Sequence, residues 1–284
     1  DIIYINSIVV LDFIIASRFS RKTSIIHIRE ITSGITNKIF SLILKFSKAN
    51  IIFNSYATSN NYSLNKKQHS FVVYNGIEEI KNNIKYNYQN KNTINIMQIG
   101  RISKQKGQLL LIEAINNLNN TQKKGIKVNI IGNTFENQKN YLDLIKSKIS
   151  QYNLNDIITI LPFSKNTIDN YNWADIVIIP STKPESFGLV AIEAMNAAKP
   201  VIAANHGGIT EIVKHNITGI LFKPNSISDL TNAIQKLINN PQLIQLYGTN
   251  GKNEFSNKFT ISHFQKNFIN TINNIIILST NNKK

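Results

Sequence analysis

The sequence predicts two α/β domains, each built on a parallel β-sheet. The chain has 284 residues, which is long for one average domain and sufficient for two. Apolar residues make up 42% of the chain, which is enough to build hydrophobic cores. From residue 94 onward, short β-branched runs alternate with helical patterns. Such alternation is typical of a parallel, doubly wound sheet.

The N-terminal part begins with a β-branched run at residues 2–11, which predicts a first strand. Residues 24–28, 50–54 and 71–74 predict three more strands. Between them, residues 35–48 carry apolar side chains at intervals of three and four, which predicts an amphipathic helix. Lysines lie elsewhere on this helix, so it either packs against a core or rests on an anionic membrane surface.

A polar segment of low complexity at residues 81–92 is interpreted as an interdomain linker. We therefore place a first domain at residues 1–88 and a second at residues 89–257. The second domain is predicted to have strands at 94–99, 126–131, 157–160, 175–179 and 200–204, and helices at 107–120, 138–151, 188–198 and 227–239. Ligands of such sheets bind outside the carboxyl ends of the strands.

The composition limits the classes of partner. The net charge of +16 makes phosphate-rich substrates, nucleic acid and anionic lipid candidates, although a codon bias toward Ile, Asn and Lys explains it equally well. No nucleic-acid-binding motif accompanies the charge, so no nucleic acid partner is expected. The chain has no cysteine, which excludes disulfides and thiolate metal sites and fits a cytoplasmic or other reducing compartment. The histidines lack metal-ligand spacing, so no metal is expected.

Two glutamates, Glu185 and Glu193, flank the start of a predicted helix. An ionised carboxylate accepts hydrogen bonds from hydroxyl groups. The backbone N–H groups of Phe187, Gly188 and Leu189 open the helix, and a helix N-terminus favours an anion. Hydroxyl acceptors beside an anion site indicate a ligand in which a sugar is joined to phosphate.

Four motifs occur in the order found in one enzyme family. They resemble those of family-four glycosyltransferases, which have the GT-B fold, and they cover roughly residues 70–225. Two departures are that Glu78 stands where the family has Asp, and Ala198 where it commonly has Gly. The motifs are Y-N-G-I from Tyr74, G-R-I with K-G from Gly100 to Gly107, D-I-V-I-I-P-S from Asp175, and P-E-S-F-G from Pro184.

The resemblance implies two facing Rossmann-like domains of GT-B type, with a C-terminal helix at 258–284 that crosses back to the first domain. It implies a retaining glycosyltransferase that moves a sugar from a UDP- or GDP-linked donor to an acceptor hydroxyl. The acceptor would be a polysaccharide or a lipid-linked glycan, and peripheral contact with a membrane is possible. No D-x-D motif is present, so the reaction is expected to need no metal and no other cofactor.

Residue roles follow from the same resemblance. Arg101 and Lys106 would hold the diphosphate, Glu193 the ribose and Glu185 the donor sugar. Each has a plainer alternative, a solvated cation or a carboxylate on a helix. The other residues expected to bind the donor are Gly100, Gly132, Ser186, Phe187, Gly188, Leu189, Gly207 and Gly208.

The acceptor side is less well matched. The family has a catalytic histidine after a strand of the first domain, and here Arg29 occupies that position. His27 lies two residues earlier, on the same face of the predicted strand. Both are candidate catalytic residues; the alternatives are a packed strand histidine and a solvated arginine.

The N-terminal domain is short for this family, because the usual first strand and glycine-rich loop are not in the sequence. The chain is therefore expected to be a fragment or the product of a truncated gene. This leaves two alternatives to a glycosyltransferase: a non-catalytic nucleotide-sugar-binding remnant or partner subunit, and an epimerase of the same fold.

Overall fold

The structure of the protein is a computed structural model that describes residues 2–80, 93–134 and 139–281. The chain divides into two compact units. The predicted linker at 81–92 and the boundary at 88 lie outside the described residues. The first unit comprises Asp1–Glu78, Pro184–Phe187 and Lys258–Lys284, and the second comprises Glu79–Lys183 and Gly188–Asn257.

The first unit contains a four-stranded parallel sheet in the order β1-β2-β3-β4. Its core is formed mainly by isoleucines of these strands, such as Ile26 and Ile51, which are fully buried. The elements are β1 (Ile2–Ile5), α1 (Leu11–Ser17), β2 (Thr23–Ile28), α2 (Gly34–Ser47), β3 (Asn50–Phe53), α3 (Tyr56–Asn61), β4 (Ser70–Val72) and α12 (Ile261–Asn281).

The first predicted strand is too long. β1 ends at Ile5, and the strand predicted to run to residue 11 gives way to a turn and then to α1. The Ser7 hydroxyl donates to a Glu30 carboxylate oxygen at 2.6 Å, which ties the chain to the end of β2. Asp12 in the first turn of α1 favours a helix start. Here tertiary contacts override the β-propensity of the apolar run.

The helix α12 packs on the sheet of the first unit. Its Ile275 is fully buried with Ile25 and Ile52. The entry to this helix is fixed at Gly76, where an added Cβ would lie only 2.4 Å from the Thr260 carbonyl oxygen. Any larger residue would therefore have to displace the backbone before α12.

The second unit contains a six-stranded parallel sheet in the order β10-β9-β8-β5-β6-β7. Two parallel α/β units confirm the fold class. The strands are β5 (Ile94–Ile99), β6 (Ile126–Ile131), β7 (Ile158–Leu161), β8 (Ile176–Ile179), β9 (Val201–Ala204) and β10 (Gly219–Phe222). The helices are α4 (Gln108–Asn116), α5 (Asn120–Lys124), α6 (Lys139–Gln151), α7 (Ile168–Trp173), α8 (Leu189–Asn196), α9 (Ile209–Ile212), α10 (Ile227–Ile238) and α11 (Pro241–Lys258).

The C-terminal end of α8 has a conformation at Ala198 that glycine would adopt more readily. Ala198 has φ of +55°, in the left-handed region that glycine enters most readily. The Lys199 N–H donates to the Ala194 carbonyl at 2.8 Å and closes the helix. The alanine thus keeps the same turn at a cost of about 1 kcal/mol in backbone strain.

Across the described ranges, no helix combines the length and the apolar character that crossing a bilayer requires.

Candidate functional site

The predicted donor residues of the second unit follow strands at the same edge of one sheet. Gly100 follows β5, Gly132 follows β6, and Gly207 and Gly208 come after β9. All strands of this sheet are parallel, so the loops after them lie at its carboxyl edge. We call these loops the carboxyl edge of the second unit. Ligands of open α/β sheets bind at such an edge.

Two of these glycines allow a close backbone approach. A Cβ at Gly132 would lie 1.9 Å from the Gly100 carbonyl oxygen. The Gly100 N–H donates to the Ile131 carbonyl at 2.9 Å, which continues the strand pairing into the loops. Gly132 therefore has a packing role that requires glycine, whether or not it also lines a ligand site.

Arg101 and Lys106 lie on a loop that is held at both ends. The Gln108 side chain donates to the Arg101 carbonyl at 2.9 Å. The Gln98 side chain donates to the Lys106 carbonyl at 2.6 Å. Lys106 ends a short 3-10 turn, Lys104–Lys106, while Arg101 is exposed. These two hydrogen bonds fix the backbone that carries both cations.

The same loop is held against the loop that follows β8. Gly107 has φ of +71°, and a Cβ there would lie 1.9 Å from the Pro180 carbonyl oxygen. The Thr182 N–H also donates to the Gln105 carbonyl at 2.9 Å. The K-G and P-S motifs are thus in direct backbone contact, and only glycine fits at position 107.

Glu193 projects from α8 and is half-buried. The Tyr171 hydroxyl donates to its Oε2 at 2.6 Å. Burial raises the pKa of Glu193, and the hydrogen bond from Tyr171 partly opposes that rise. Burial and the nearby carboxylate raise the pKa of Tyr171 well above its ordinary value, so this hydroxyl stays protonated and acts as the donor.

Tyr171 is the residue of this site that the sequence analysis missed. It lies in α7, a helix of six residues that had not been predicted. The only local signal is its position shortly before the D-I-V-I-I-P-S motif. Its contact fixes the orientation of the Glu193 carboxylate, which is what binding vicinal ribose hydroxyls would require.

The loop after β9 is held by a histidine. The His206 Nε2 lies 2.8 Å from the Ser181 carbonyl, so this nitrogen carries the proton. Gly207 has φ of +67° and requires the left-handed region. Gly208 has φ of −63° and begins α9, so its conformation is open to other residues.

The P-E-S-F-G motif enters α8. Glu185, Ser186 and Phe187 belong to the first unit, and Gly188 and Leu189 belong to the second. Gly188 has φ of +120° and immediately precedes α8, while Leu189 is about half exposed. The roles proposed for these five residues remain predictions.

Within the first unit, this loop is held by polar and aromatic contacts. The Ser55 hydroxyl donates to the Ser186 carbonyl at 2.5 Å. Phe187 is 2% exposed and lies 5.9 Å from Tyr74 and 6.1 Å from Phe259 between ring centroids. The Phe187 side chain is thus part of a core, which leaves its backbone N–H as the group suited to a ligand.

The two candidate catalytic residues of the first unit differ in environment. His27 has no exposed surface, and its ring stacks on Phe268 with centroids 6.0 Å apart. Its Nδ1 lies 2.6 Å from the Tyr4 hydroxyl, which is also hydrogen-bonded by Arg29. Arg29 itself is exposed. The burial of His27 favours its alternative role as a packed strand histidine, whereas Arg29 remains accessible.

The described residues contain no group of three or more His, Asp or Glu side chains placed to hold a metal ion.

A family model of the glycosyl transferases group 1 matches residues 79–254. The chain belongs to this family. The match covers the carboxyl edge of the second unit and includes Arg101, Lys106 and Glu193.

Two relatives extend the similarity beyond the family model. An uncharacterized glycosyltransferase of Methanocaldococcus jannaschii is 32% identical over 236 residues, which are 78% of this chain and 62% of that protein. The lipopolysaccharide 1,2-N-acetylglucosaminetransferase of Salmonella typhimurium is 37% identical over 153 residues, 50% of this chain and 39% of that protein. The match therefore spans 62% and 39% of the length of these two relatives.

Among solved structures, Anabaena HepE in complex with UDP and glucose has a TM-score of 0.83 to this structure. It is 23% identical and the match covers 96% of this chain and 77% of HepE. At this identity the likeness shows the fold alone, and it confirms the GT-B class.

The buried His27 predicts a loss of stability in acid. Burial, together with the charge of Arg29, lowers the pKa of His27 to about 4. In the unfolded chain the value is about 6.5, so the unfolded state binds the proton first as the pH falls. The contribution of neutral His27 to the free energy of unfolding is present above pH 6.5 and is lost as the pH falls toward 4. Between pH 7 and pH 5 it lowers the free energy of unfolding by about 2 kcal/mol.

The check is urea unfolding at pH 7 and pH 5 for the wild type and for His27→Gln, which keeps an acceptor for Tyr4 but does not titrate. The variant is expected to be less stable at pH 7 and to lose less stability in acid. An equal loss in both proteins would contradict the assignment.

Proposed function

We propose that the chain is a glycosyltransferase that moves a sugar from a nucleotide-sugar donor to an acceptor hydroxyl. The observation that carries this proposal is the carboxyl edge of the second unit. Two cations, Arg101 and Lys106, lie there in the loop after β5, and Glu193, which Tyr171 orients, lies on α8, the helix that follows β8. Family membership supports the reaction class. Because HepE was solved with UDP, a UDP-linked donor is the first to test, and a GDP-linked donor is the second.

In the proposed reaction, the bond between the anomeric carbon and the diphosphate oxygen breaks, and a bond to the acceptor oxygen forms on the same face. The acceptor proton passes to the departing phosphate. Arg101 and Lys106 neutralise the charge that develops on the diphosphate, so no metal is needed. Glu193 accepts hydrogen bonds from the ribose hydroxyls, and Glu185 from those of the sugar.

The donor site predicts a specific effect of Glu193→Gln on nucleotide binding. The change replaces a charged acceptor by a neutral one, and hydrogen bonds to charged groups contribute about 1.5–3 kcal/mol. The affinity for UDP is expected to fall about tenfold or more. It is measured as a smaller rise of Tm on titration with UDP, without metal and then with magnesium.

The matched control is Glu113→Gln. Glu113 also accepts a tyrosine hydroxyl, that of Tyr152 at 2.9 Å, but lies on α4. Its UDP response should equal that of the wild type. If both variants respond to UDP as the wild type does, Glu193 does not bind the nucleotide.

Lys106→Ala is expected to lower turnover by about 100-fold or more, because it removes a cation that stabilises the leaving group. Tm should change little, since the packing of this loop uses the Lys106 backbone. The assay is release of UDP from UDP-glucose by slow hydrolysis, which needs no knowledge of the acceptor. Lys104→Ala, in the same 3-10 turn, is the control of equal charge. Equal rates for the two variants would refute the role of Lys106.

A non-catalytic nucleotide-sugar-binding protein is the second candidate. It is favoured by the burial of His27 and by Arg29 at the position of the family histidine. This candidate predicts that UDP raises Tm while no donor is hydrolysed or transferred. Hydrolysis that depends on Lys106 would exclude it.

For the first unit, we propose contact with an anionic membrane that carries the acceptor. The helix α2 buries Ser41, Leu44 and Ser47 on one side. Packing against the core therefore does not explain the apolar residues on its opposite side. That side is basic and apolar, with Lys38 and Lys45 among the apolar residues. Its exposed apolar residues are Ile35, Ile39, Leu42 and Phe46, between 46% and 76% exposed. Such a face complements anionic lipid.

Leu42→Glu is expected to abolish co-flotation with vesicles of phosphatidylcholine and phosphatidylglycerol. The change places a carboxylate on a leucine that is 69% exposed. Leu246→Glu, at an exposed leucine of α11, should float like the wild type. If the wild type stays unbound and instead elutes as a dimer that Leu42→Glu dissociates, the face contacts a second copy.

A further inference from the structure

A basic cavity lies in the first unit, away from the residues assigned to the donor and to catalysis. Its volume is about 280 Å³, near the lower end for ligand sites, which begin at about 300 Å³. The lining includes serine, threonine and amide side chains and no carboxylate. Its basic residues are Arg18, Arg21, Lys22, Lys48, Lys67 and His69.

The cavity lies at the amino edge of the four-stranded sheet. Its lining includes Thr23, Asn50 and His69, which stand at the start of β2, at the start of β3 and just before β4. Since these strands are parallel, their carboxyl ends, with Glu30, lie at the opposite edge. Along β2 the two edges are about 16 Å apart. The cavity is therefore separate from the edge at which Arg29 and Glu30 lie.

Helix ends explain only part of this charge. Arg18 and Lys48 cap the C-terminal ends of α1 and α2, where a cation is stabilised by the helix dipole. The segment between α1 and β2 carries Lys22, and the segment between α3 and β4 carries Lys67 and His69. No such dipole accounts for their position around the same cavity.

The segment that carries Lys48, Lys67 and His69 has no acidic residue. Between Ile31 and Ile77 the sequence has no Asp or Glu, although it has five lysines. Bringing these cations together costs repulsion, which a bound anion would relieve. Hydroxyl donors such as Ser20 and Thr23 also line the cavity and suit phosphate oxygens.

Two aromatic side chains lie beside the cavity. Phe19, 77% exposed, follows Arg18, and Phe46 precedes the lining residue Ser47. Their rings meet edge to face at 6.3 Å, and the Arg18 guanidinium lies 5.4 Å from the Phe46 centroid. This contact fixes one cation of the cavity next to an exposed apolar pair.

We propose that this cavity binds a phosphate group of a second ligand, distinct from the sugar donor. Arginine recognises phosphate through paired N–H donors, and the lysines add point charges. The phosphate belongs either to a lipid headgroup or to a soluble phosphorylated molecule. The proposal does not depend on glycosyl transfer.

The first test is a titration of the whole chain with inorganic phosphate, followed by NMR of the histidine rings at constant pH. The His69 signals should move and saturate, whereas sodium chloride of equal ionic strength should not move them to the same extent. Binding of phosphate at the donor edge would instead move the signals of His206, which lies there. His69 signals that respond equally to phosphate and chloride would overturn the proposal.

The second test uses Lys22→Gln/Lys67→Gln, with Lys124→Gln/Lys146→Gln as a control pair of exposed lysines in the second unit. The cavity pair should weaken phosphate binding at His69 about tenfold or more, because each lost charged hydrogen bond is worth about 1.5–3 kcal/mol. The control pair should leave it unchanged. If the double variant does not fold, Lys67→Gln alone is compared. Unchanged binding in a folded cavity variant also overturns the proposal.

The source of the phosphate is decided with vesicles. Phosphate binding at His69 together with flotation on phosphatidylglycerol vesicles, both weakened by the cavity pair, assigns a lipid headgroup. A soluble phosphorylated ligand is assigned if the cavity pair weakens phosphate binding at His69 but flotation is absent or is unchanged in this double variant. In both cases UDP should still raise Tm, so a failure here is separable from a failure of the donor site.

Discussion

The carboxyl edge of the second unit depends on backbone contacts closer than any side chain allows. The peptide of Gly132 lies against the Gly100 carbonyl, and that of Gly107 lies against the Pro180 carbonyl. These two contacts join the loops that follow β5, β6 and β8. They fix the backbone positions of the loop that carries Arg101 and Lys106. A Cβ at either contact would meet a carbonyl oxygen at 1.9 Å, so the loops would have to separate. The backbone positions of the two cations are therefore set by these glycine contacts.

Glu193 is likewise positioned by a neighbouring group, the Tyr171 hydroxyl. Its carboxylate is half-buried, which raises its pKa and would weaken it as an acceptor if nothing compensated. Tyr171 compensates by donating to one oxygen at 2.6 Å, and its own raised pKa keeps it a donor. A carboxylate held in this way is pre-oriented, so less rotamer entropy is lost when hydroxyl groups bind.

Much of the second unit was predictable from sequence, because buried parallel strands such as β8 and β9 are continuous apolar runs that end in turn residues. The carboxyl edge followed from those strand ends. Short elements were not predictable: α7, which carries Tyr171, has six residues and no strong period. In the first unit, residues 2–11 are rich in β-branched side chains throughout, but only the first part forms a strand. The strand ends where Ser7 contacts Glu30, which is 23 residues further along the chain. The burial of His27 likewise depends on Phe268, which only the folded chain brings near.

The net charge shows where composition stops being informative. A bias toward lysine codons would add cations throughout the chain, and it accounts for the total of +16 without any function. It does not account for their arrangement. All 16 acidic residues lie outside residues 31–77, and five of the lysines and arginines before and within that segment line one cavity at the amino edge of a sheet, namely Arg18, Arg21, Lys22, Lys48 and Lys67. Water and salt screen part of the repulsion among these groups, and the repulsion that remains is between groups closer than a Debye length of about 8–10 Å. A cluster of this kind is therefore tolerated without a ligand at physiological salt, and it gains most from a multivalent anion, which neutralises several cations at once.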